Sequence, residues 1–260
     1  MSTDVSILLL SDIARRAGRA VMEVYDGEDI SVTTKDDDSP LTRADTASHA
    51  VIVRELHDLY PDIPIISEEG KNVPLSARRE WRDFFLVDPL DGTKEFIRRN
   101  GEFTVNIALV KDRLPVAGVV FAPAIDILYA GTEGEGAFRE EGGDRESIPR
   151  EKPGRDDRVA VRSRSHANPD EEEILARYGV VDTVSMGSSL KFCLVADGTA
   201  DIYVRSGPTH EWDTAAAHAV VRAAGGHVMT EGKELLYNKE TLLNPGFICL
   251  GKGIDPVGSG

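Results

Sequence analysis

The first part of the chain carries two amphipathic helical patterns. Apolar residues recur at helical spacing through residues 5–25, among them Ile13, Ala17 and Val21, which predicts a helix with one buried face. A second helix is predicted over residues 43–59. We expect it to end before Pro61, because proline disfavours helical geometry in the residue ahead of it.

Short apolar runs predict strands after each helix. The segments IPII and FFLV, at 63–66 and 84–87, are each followed by acidic residues, as buried strands that end at a polar site would be. Further strands are predicted at 30–34, 103–111, 116–122 and 125–130.

A charged segment then interrupts the pattern. Eleven of the 18 residues from 140 to 157 are charged and five are Gly or Pro, which predicts a surface loop or a domain linker. Beyond it, strands and helices alternate as in βαβ units. The strands are predicted at 158–163, 181–186, 200–205 and 227–230, and the helices at 169–178, 188–197 and 212–224. The chain is therefore expected to be an α/β (α+β) protein.

The charge of the chain restricts its partners. With 30 basic and 45 acidic residues, the net charge is −15. Phosphate-rich polymers and anionic membranes would be repelled, so no nucleic acid polymer is expected as a partner. A small phosphorylated substrate remains compatible, because bound metal ions invert the local field.

Three features of the sequence bear on the compartment of the protein. No apolar run approaches the ~18 residues that a membrane span needs, and the first residues lack the basic start of a signal peptide. Cys193 and Cys249 lie in apolar runs and are expected to be free core thiols. These features favour a reducing cytoplasm, with peripheral association at the inner membrane face left open.

The most informative motif follows the strand predicted at 84–87. It reads Asp88-Pro89-Leu90-Asp91-Gly92-Thr93. Such a turn aims two carboxylates and a backbone carbonyl at one point, and hard cations such as Mg²⁺ bind oxygen ligands of this kind. The amides of Gly92 and Thr93 suit a phosphate oxygen. Taken alone, the motif would be better explained as a capped turn after a strand.

Other acidic residues occupy comparable positions. Glu68 and Glu69 follow the strand predicted at 63–66, Asp213 opens the helix predicted at 212–224, and Asp45 opens the helix at 43–59. Each of the two aspartates is also explained by helix capping alone.

The order of these residues resembles the lithium-sensitive, metal-dependent phosphomonoesterases of the inositol monophosphatase superfamily. Twenty residues separate Glu68 from Asp88, and 23 separate Asp45 from Glu68. Longer stretches resemble the subgroup of CysQ-type 3′(2′),5′-bisphosphate nucleotidases. These stretches are DPLDGTKEFIRRNGEFTVNIALV (88–110), RSRSH (162–166), GSSLKFCLVADG (187–198) and GPTHEWDTAAAHAV (207–220).

The resemblance implies two Mg²⁺ ions, and a third held with the help of Glu69. Glu68, Asp88 and the Leu90 carbonyl would bind the first ion. The second would be bound by Asp88, Asp91 and Asp213, with Asp88 bridging.

It also implies catalytic and substrate-binding roles. Thr93 and Asp45 would orient and help deprotonate the attacking water, with support from Glu69, and the Gly92 and Thr93 amides would hold the scissile phosphate. Substrate contacts are expected from four of the metal-binding residues, Glu68, Leu90, Asp91 and Asp213. Further contacts, to the nucleotide and its second phosphate, are expected from Ser163, His166, Ser188, Ser189 and Lys191. Solvated charges and a helix cap at Ser188 remain alternative explanations of this last group.

The fold implied is a layered αβαβα sandwich of the sugar-phosphatase type. Residues 1–140 would form an α+β half with most metal ligands, residues 141–157 a charged loop or linker, and residues 158–260 an α/β half with Asp213 and the specificity elements. The chain is expected to be a monomer or a homodimer.

The function implied is hydrolysis of adenosine 3′,5′-bisphosphate to AMP and phosphate, with action on its 5′-phosphosulfate analogue, in sulfate assimilation. The alternatives are an inositol monophosphatase or a fructose-1,6-bisphosphatase of the same superfamily. A non-catalytic cation or nucleotide sensor is disfavoured, because a pure binder needs no water-activating pair.

Other features are assigned ordinary roles. The glycines of GTEGEG at 131–136 predict a hairpin turn rather than a dinucleotide site. His49, His57, His218 and His227 lack ligand spacing and are expected at the surface or the edge of the core. The acidic run 36–38 is expected to be a solvated turn.

Overall fold

The structure, a computed structural model, describes residues 5–27, 33–34, 40–150, 157–163 and 169–256. The helices in these residues are Ile7–Tyr25 (α1), Arg43–Leu59 (α2), Leu75–Arg78 (α3), Thr93–Ile97 (α4), Pro169–Arg177 (α5), Leu190–Ala196 (α6) and Glu211–Ala223 (α7).

The strands of the first half begin with Thr33–Thr34 (β1), Pro40–Leu41 (β2), Ile65–Ser67 (β3), Asp83–Asp91 (β4) and Thr104–Lys111 (β5). They continue with Leu114–Ala122 (β6), Ile127–Thr132 (β7), Gly136–Glu141 (β8) and Asp144–Ile148 (β9).

The strands of the second half are Arg158–Arg162 (β10), Val180–Ser185 (β11), Ile202–Arg205 (β12), Thr209–His210 (β13), His227–Thr230 (β14), Lys233–Glu234 (β15), Leu243–Asn244 (β16) and Phe247–Leu250 (β17).

Two large sheets carry the fold. Seven strands pair in the order β3-β4-β5-β6-β7-β8-β9, and six pair in the order β11-β10-β12-β17-β14-β15. The first sheet is antiparallel except for the parallel pair of β3 and β4. Two short pairs, β1 with β2 and β13 with β16, lie outside these sheets.

The helices complete five layers. α1 and α2 pack on one face of the seven-stranded sheet, α6 and α7 lie between the two sheets, and α5 covers the outer face of the six-stranded sheet. The order is therefore αβαβα, as the resemblance implied. None of the described helices is both long and apolar enough to cross a membrane.

Strand alternation divides β4 between two cores. Phe84 and Leu86 face the helices between the sheets, whereas Phe85 and Val87 face α1 and α2. Both faces of this strand are covered, which explains why its sequence reads as a continuous apolar run. The next residue on the inner face is Asp88, so the strand delivers a carboxylate to the edge of the middle layer.

The predicted elements are largely confirmed, with boundary shifts of one or two residues, except that the strand predicted at 84–87 extends to Asp91. The expected turn within 131–136 joins β7 to β8, and both cysteines are free and buried. The strand predicted at 30–34 is described only as β1, and the acidic run 36–38 lies outside the described residues.

Three sequence-based expectations were wrong. Part of the charged segment 140–157 is a strand rather than a loop, because β9 pairs along β8 and buries Ile148. Strand β17 was not predicted, although it pairs with β12 and β14 in the second sheet. His218 is fully buried rather than at the core edge, because Tyr237 and Glu234 bond its two ring nitrogens.

Candidate active site

The motif at 88–93 forms a tightly held turn at the end of β4. The Leu90 amide donates to Asp88 Oδ1 at 3.0 Å, and Ser48 Oγ of α2 donates to the Pro89 carbonyl at 2.7 Å. Gly92 has φ +88°, and a Cβ there would stand 3.1 Å from the Glu102 carbonyl oxygen. Glycine is therefore required both by the left-handed backbone and by this close approach.

Four of the expected metal ligands lie together. Burial raises the pKa of Asp88 well above its ordinary value, and the charges of Glu68, Asp91 and Asp213 raise it further. The pKa of Asp213 is raised well above its ordinary value by burial and then by Asp91. These carboxylates therefore share one low-dielectric site.

Asp91 is held by the segment that precedes α6. Its Oδ2 accepts from Ser188 Oγ at 2.5 Å and from the Ser189 amide at 2.6 Å. Burial raises the pKa of Asp91, and these hydrogen bonds oppose the shift. Ser188 and Ser189, which the resemblance assigned to the nucleotide, thus also position a metal-ligand candidate.

The same segment is tied to β5. Thr104 Oγ1 lies 2.7 Å from Ser188 Oγ and 2.8 Å from Ser189 Oγ, and Ser189 Oγ donates to Asn106 Oδ1 at 2.9 Å. The backbone of Ser188 is left-handed, with φ 53°. The helix predicted from 188 therefore begins only at Leu190.

Asp213 and Asp45 occupy equivalent positions in their helices. Asp213 Oδ2 accepts from the His210 amide at 2.8 Å, and Asp45 Oδ2 accepts from the Thr42 amide at 2.7 Å. Both pairs are reciprocal capping boxes. The capping interpretation of each residue is therefore correct, and it fixes where each carboxylate stands.

Thr93 and Glu69 also lie at the ends of elements. Thr93 begins α4 and its hydroxyl is 3.4 Å from the Leu90 carbonyl, and Glu69 is half-buried in the turn after β3. Their roles in water activation, together with that of Asp45, stay predictions.

A cavity of about 430 Å³ opens beside the carboxylates. Asp91, Gly92, Asp213 and the serines at 163, 188 and 189 line it. Lys191 lines it too, but it is buried rather than solvated: its Nζ donates to the Ser188 carbonyl at 2.6 Å and lies 5.5 Å from the ring centre of Tyr203. Burial lowers its pKa. His166 lies outside the described residues.

Several cavity residues were missed by the sequence analysis. Three aromatic rings, Phe192, Tyr203 and Phe247, contact one another at centroid distances of 5.2 to 5.6 Å and line the cavity. Arg205 also lines it, and its charge lowers the pKa of Lys191. Its place at the carboxyl end of β12 was the available clue, because ligands of α/β sheets bind at such ends.

The donor set fits hard divalent cations. It consists of carboxylates and one backbone carbonyl, which are the oxygen ligands that Mg²⁺ prefers. Within the described ranges, no three acidic, His or Cys side chains are already arranged around a single point. Burial first and the neighbouring carboxylates second raise the pKa values of Asp88 and Asp213, and cations bound there would stabilise the ionised carboxylates.

The five alternating layers, and a carboxylate cluster beside a cavity lined by Lys191 and Arg205, are the features of metal-dependent phosphomonoesterases. The sequence profile of the inositol monophosphatase family matches residues 5–253. The chain belongs to that family.

Within the family, the chain is more similar to CysQ proteins than to the IMPase of Thermotoga maritima. The chain is 52% identical to the 3′(2′),5′-bisphosphate nucleotidase CysQ of Escherichia coli over 240 residues, 90% of this chain and 95% of that one. The crystal structure of CysQ from Bacteroides thetaiotaomicron matches at 44% identity and a TM-score of 0.85, over 95% and 97% of the two chains. The IMPase of Thermotoga maritima matches at 26% and a TM-score of 0.74, over 92% and 89%.

Proposed function

We propose that the chain is a Mg²⁺-dependent 3′(2′),5′-bisphosphate nucleotidase that hydrolyses adenosine 3′,5′-bisphosphate to AMP and phosphate. We extend the proposal to the 5′-phosphosulfate analogue. The observation that carries it is the position of Lys191 and Arg205 in the same cavity as the carboxylate cluster. A monophosphate ester has no second phosphate to bind these two cations, whereas a bisphosphate has one.

The metal-binding assignment follows the donor set. Glu68, Asp88 and the Leu90 carbonyl would hold one ion, and Asp88, Asp91 and Asp213 a second. Glu69 would help to hold a third. When bound, the ions supply positive charge that activates a water molecule and stabilises the leaving oxygen.

The chain's own residues would orient the reaction. The Gly92 and Thr93 amides would hold the scissile phosphate, and Thr93 with Asp45 would orient the water and accept its proton. A water oxygen bonds to phosphorus while the bond from phosphorus to the 3′ oxygen breaks, and the leaving oxygen takes up a proton. Hydrolysis of this bond is among the slowest uncatalysed reactions, so such electrostatic assistance is needed.

The aromatic rings that line the cavity support a nucleoside as the rest of the substrate. Phe192, Tyr203 and Phe247 supply apolar surface, and Ser163 lies at the same cavity. Two buried free thiols support our placement of the activity in a reducing cytoplasm, within sulfur metabolism.

Phosphate release from a panel of substrates tests the proposal. With Mg²⁺ present, adenosine 3′,5′-bisphosphate should be hydrolysed with a higher kcat/KM than inositol 1-phosphate or fructose 1,6-bisphosphate. Excess EDTA should abolish release, Mg²⁺ should restore it, and millimolar Li⁺ should inhibit it. Preference for inositol 1-phosphate would contradict the assigned substrate, and full activity in EDTA would contradict the metal-dependent reaction.

A further inference from the structure

Asn106 occupies an unusual position beside the carboxylate cluster. It is 1% exposed and lies in β5 directly opposite Asp88 of β4. The residues at 108 and 110 on its side of β5 pack into the core between the sheets. Asn106 therefore continues an apolar row into the site, just as Asp88 does on the neighbouring strand.

Only one end of the Asn106 amide is used. Its Oδ1 accepts the Ser189 hydroxyl at 2.9 Å, whereas its Nδ2 is buried and finds no acceptor in the part of the chain that the structure describes. An unpaired buried donor costs on the order of 1–3 kcal/mol. Native proteins keep few such groups, and each calls for an explanation.

The neighbourhood indicates which acceptor this donor serves. Side chains directly opposite each other on antiparallel strands have Cβ atoms roughly 4.5–5.5 Å apart, so Asp88 is within reach of Asn106. Asp88 Oδ1 instead accepts from the Leu90 amide at 3.0 Å. A cation bound to Asp88 would fix the orientation of this carboxylate, and Asn106 Nδ2 is the buried donor on the neighbouring strand.

We propose that Asn106 is a positioning residue whose Nδ2 donates to Asp88 when that carboxylate holds Mg²⁺. The bond would orient the carboxylate that bridges the two ion positions. This inference rests on the proposed metal-dependent function and adds a residue to its support. Groups that orient a metal ligand in this way typically change metal affinity by about 10- to 100-fold.

The test measures Mg²⁺ binding without turnover. Metal-stripped wild type, Asn106→Leu and Asn106→Ser are titrated with Mg²⁺ alone by calorimetry, and circular dichroism confirms that each is folded. Leucine keeps the shape without a donor, and serine is too short to reach. Both variants should bind Mg²⁺ about 10- to 100-fold more weakly, and the Mg²⁺ concentration for half-maximal hydrolysis should rise while the substrate KM changes little.

Two further variants separate this role from simple packing. Thr132→Val removes another buried hydroxyl that has no partner among the described residues, in β7. Ser189→Ala removes the donor to Asn106 Oδ1 together with a contact to Thr104 Oγ1, and leaves Asn106 Nδ2 in place. Wild-type Mg²⁺ affinity is expected for Thr132→Val, and a smaller loss for Ser189→Ala than for Asn106→Leu.

Two results would overturn the inference: unchanged Mg²⁺ affinity in Asn106→Leu and Asn106→Ser, or an equal loss in Ser189→Ala. If the wild type binds no Mg²⁺, the metal-dependent function fails as well. If it binds Mg²⁺ but does not hydrolyse the bisphosphate, only the assigned substrate fails.

Discussion

Single residues at this site are constrained by more than one contact. Ser188 keeps a left-handed backbone, donates its hydroxyl to Asp91 and offers its carbonyl to Lys191. A non-glycine residue in that conformation is uncommon and is retained where its surroundings stabilise it. Ser188 thus links Asp91, a metal-ligand candidate, to Lys191 in the substrate cavity.

The paired cations lead to a prediction about substrate choice. Lys191→Met and Arg205→Gln should each raise the KM for adenosine 3′,5′-bisphosphate by about 10- to 100-fold, as expected for the loss of a charge-assisted hydrogen bond. Hydrolysis of inositol 1-phosphate should change much less, because it lacks the second phosphate. Steady-state kinetics on both substrates measures the difference.

Arg177→Gln is the matched control for these two variants. Arg177 is exposed and pairs with Glu173 on the surface of α5, so its loss should leave both KM values unchanged. An equal loss of kcat/KM on the two substrates in the Lys191 and Arg205 variants would mean that these side chains support the fold rather than the second phosphate.

The start of helix α7 is fixed by a buried ion pair and several hydrogen bonds. Glu211 is fully buried and accepts from the Asn238 amide at 2.8 Å, the Lys239 amide at 3.0 Å and Lys239 Nζ at 2.6 Å. Arg78, which is also buried, bonds the carbonyls of Lys239 and Glu240. Segments far apart in the sequence thereby fix the helix end that carries Asp213.

This arrangement predicts a large stability effect. Glu211→Ala should lower the free energy of unfolding by about 3–5 kcal/mol, because it leaves the Lys239 ammonium without its buried partner. Urea denaturation measures the change, and Lys239→Met in the same chain should recover part of it. Glu173→Ala, which breaks an exposed ion pair, should cost less than about 1 kcal/mol. A similarly small loss for Glu211→Ala would contradict the structural role assigned to Glu211.

For the whole molecule, the meeting of two sheets and a helix layer places acidic groups where water is scarce. Asp88 and Asp213 have raised pKa values mainly because they are buried. Without cations, Asp88 and Asp213 stay protonated in the folded state at pH values where they are ionised in the unfolded chain, that is, above their ordinary pKa of 3.8. The free energy of unfolding should therefore fall as pH rises above that value.

Urea denaturation in EDTA between about pH 4 and pH 8 tests this sign. Asp213→Asn should flatten the fall, and Mg²⁺ should restore stability in the wild type at the upper end of the range. The comparison with the variant is needed because burial lowers the pKa of His218, which destabilises the fold as pH falls below 6.5. Identical slopes in wild type and variant would contradict the prediction.

Local pattern predicted most elements and marked the acidic residues as candidates, and the family resemblance assigned them to one cluster. Helix α2 was predicted at 43–59, because its acidic first turn and the proline that follows both act within a few positions. The turn at 88–93 was likewise visible, since its proline, glycine and carboxylates are consecutive.

Long-range packing decided the rest. Strand β9 is charged, and only its pairing with β8 makes it a strand. Arg205 and Phe247 enter the cavity because β12 and β17 pair side by side, although more than 40 positions separate them. Asn106 faces Asp88 through the register of β4 and β5. Contacts of this kind depend on which strands become neighbours, and the local sequence pattern does not determine that pairing.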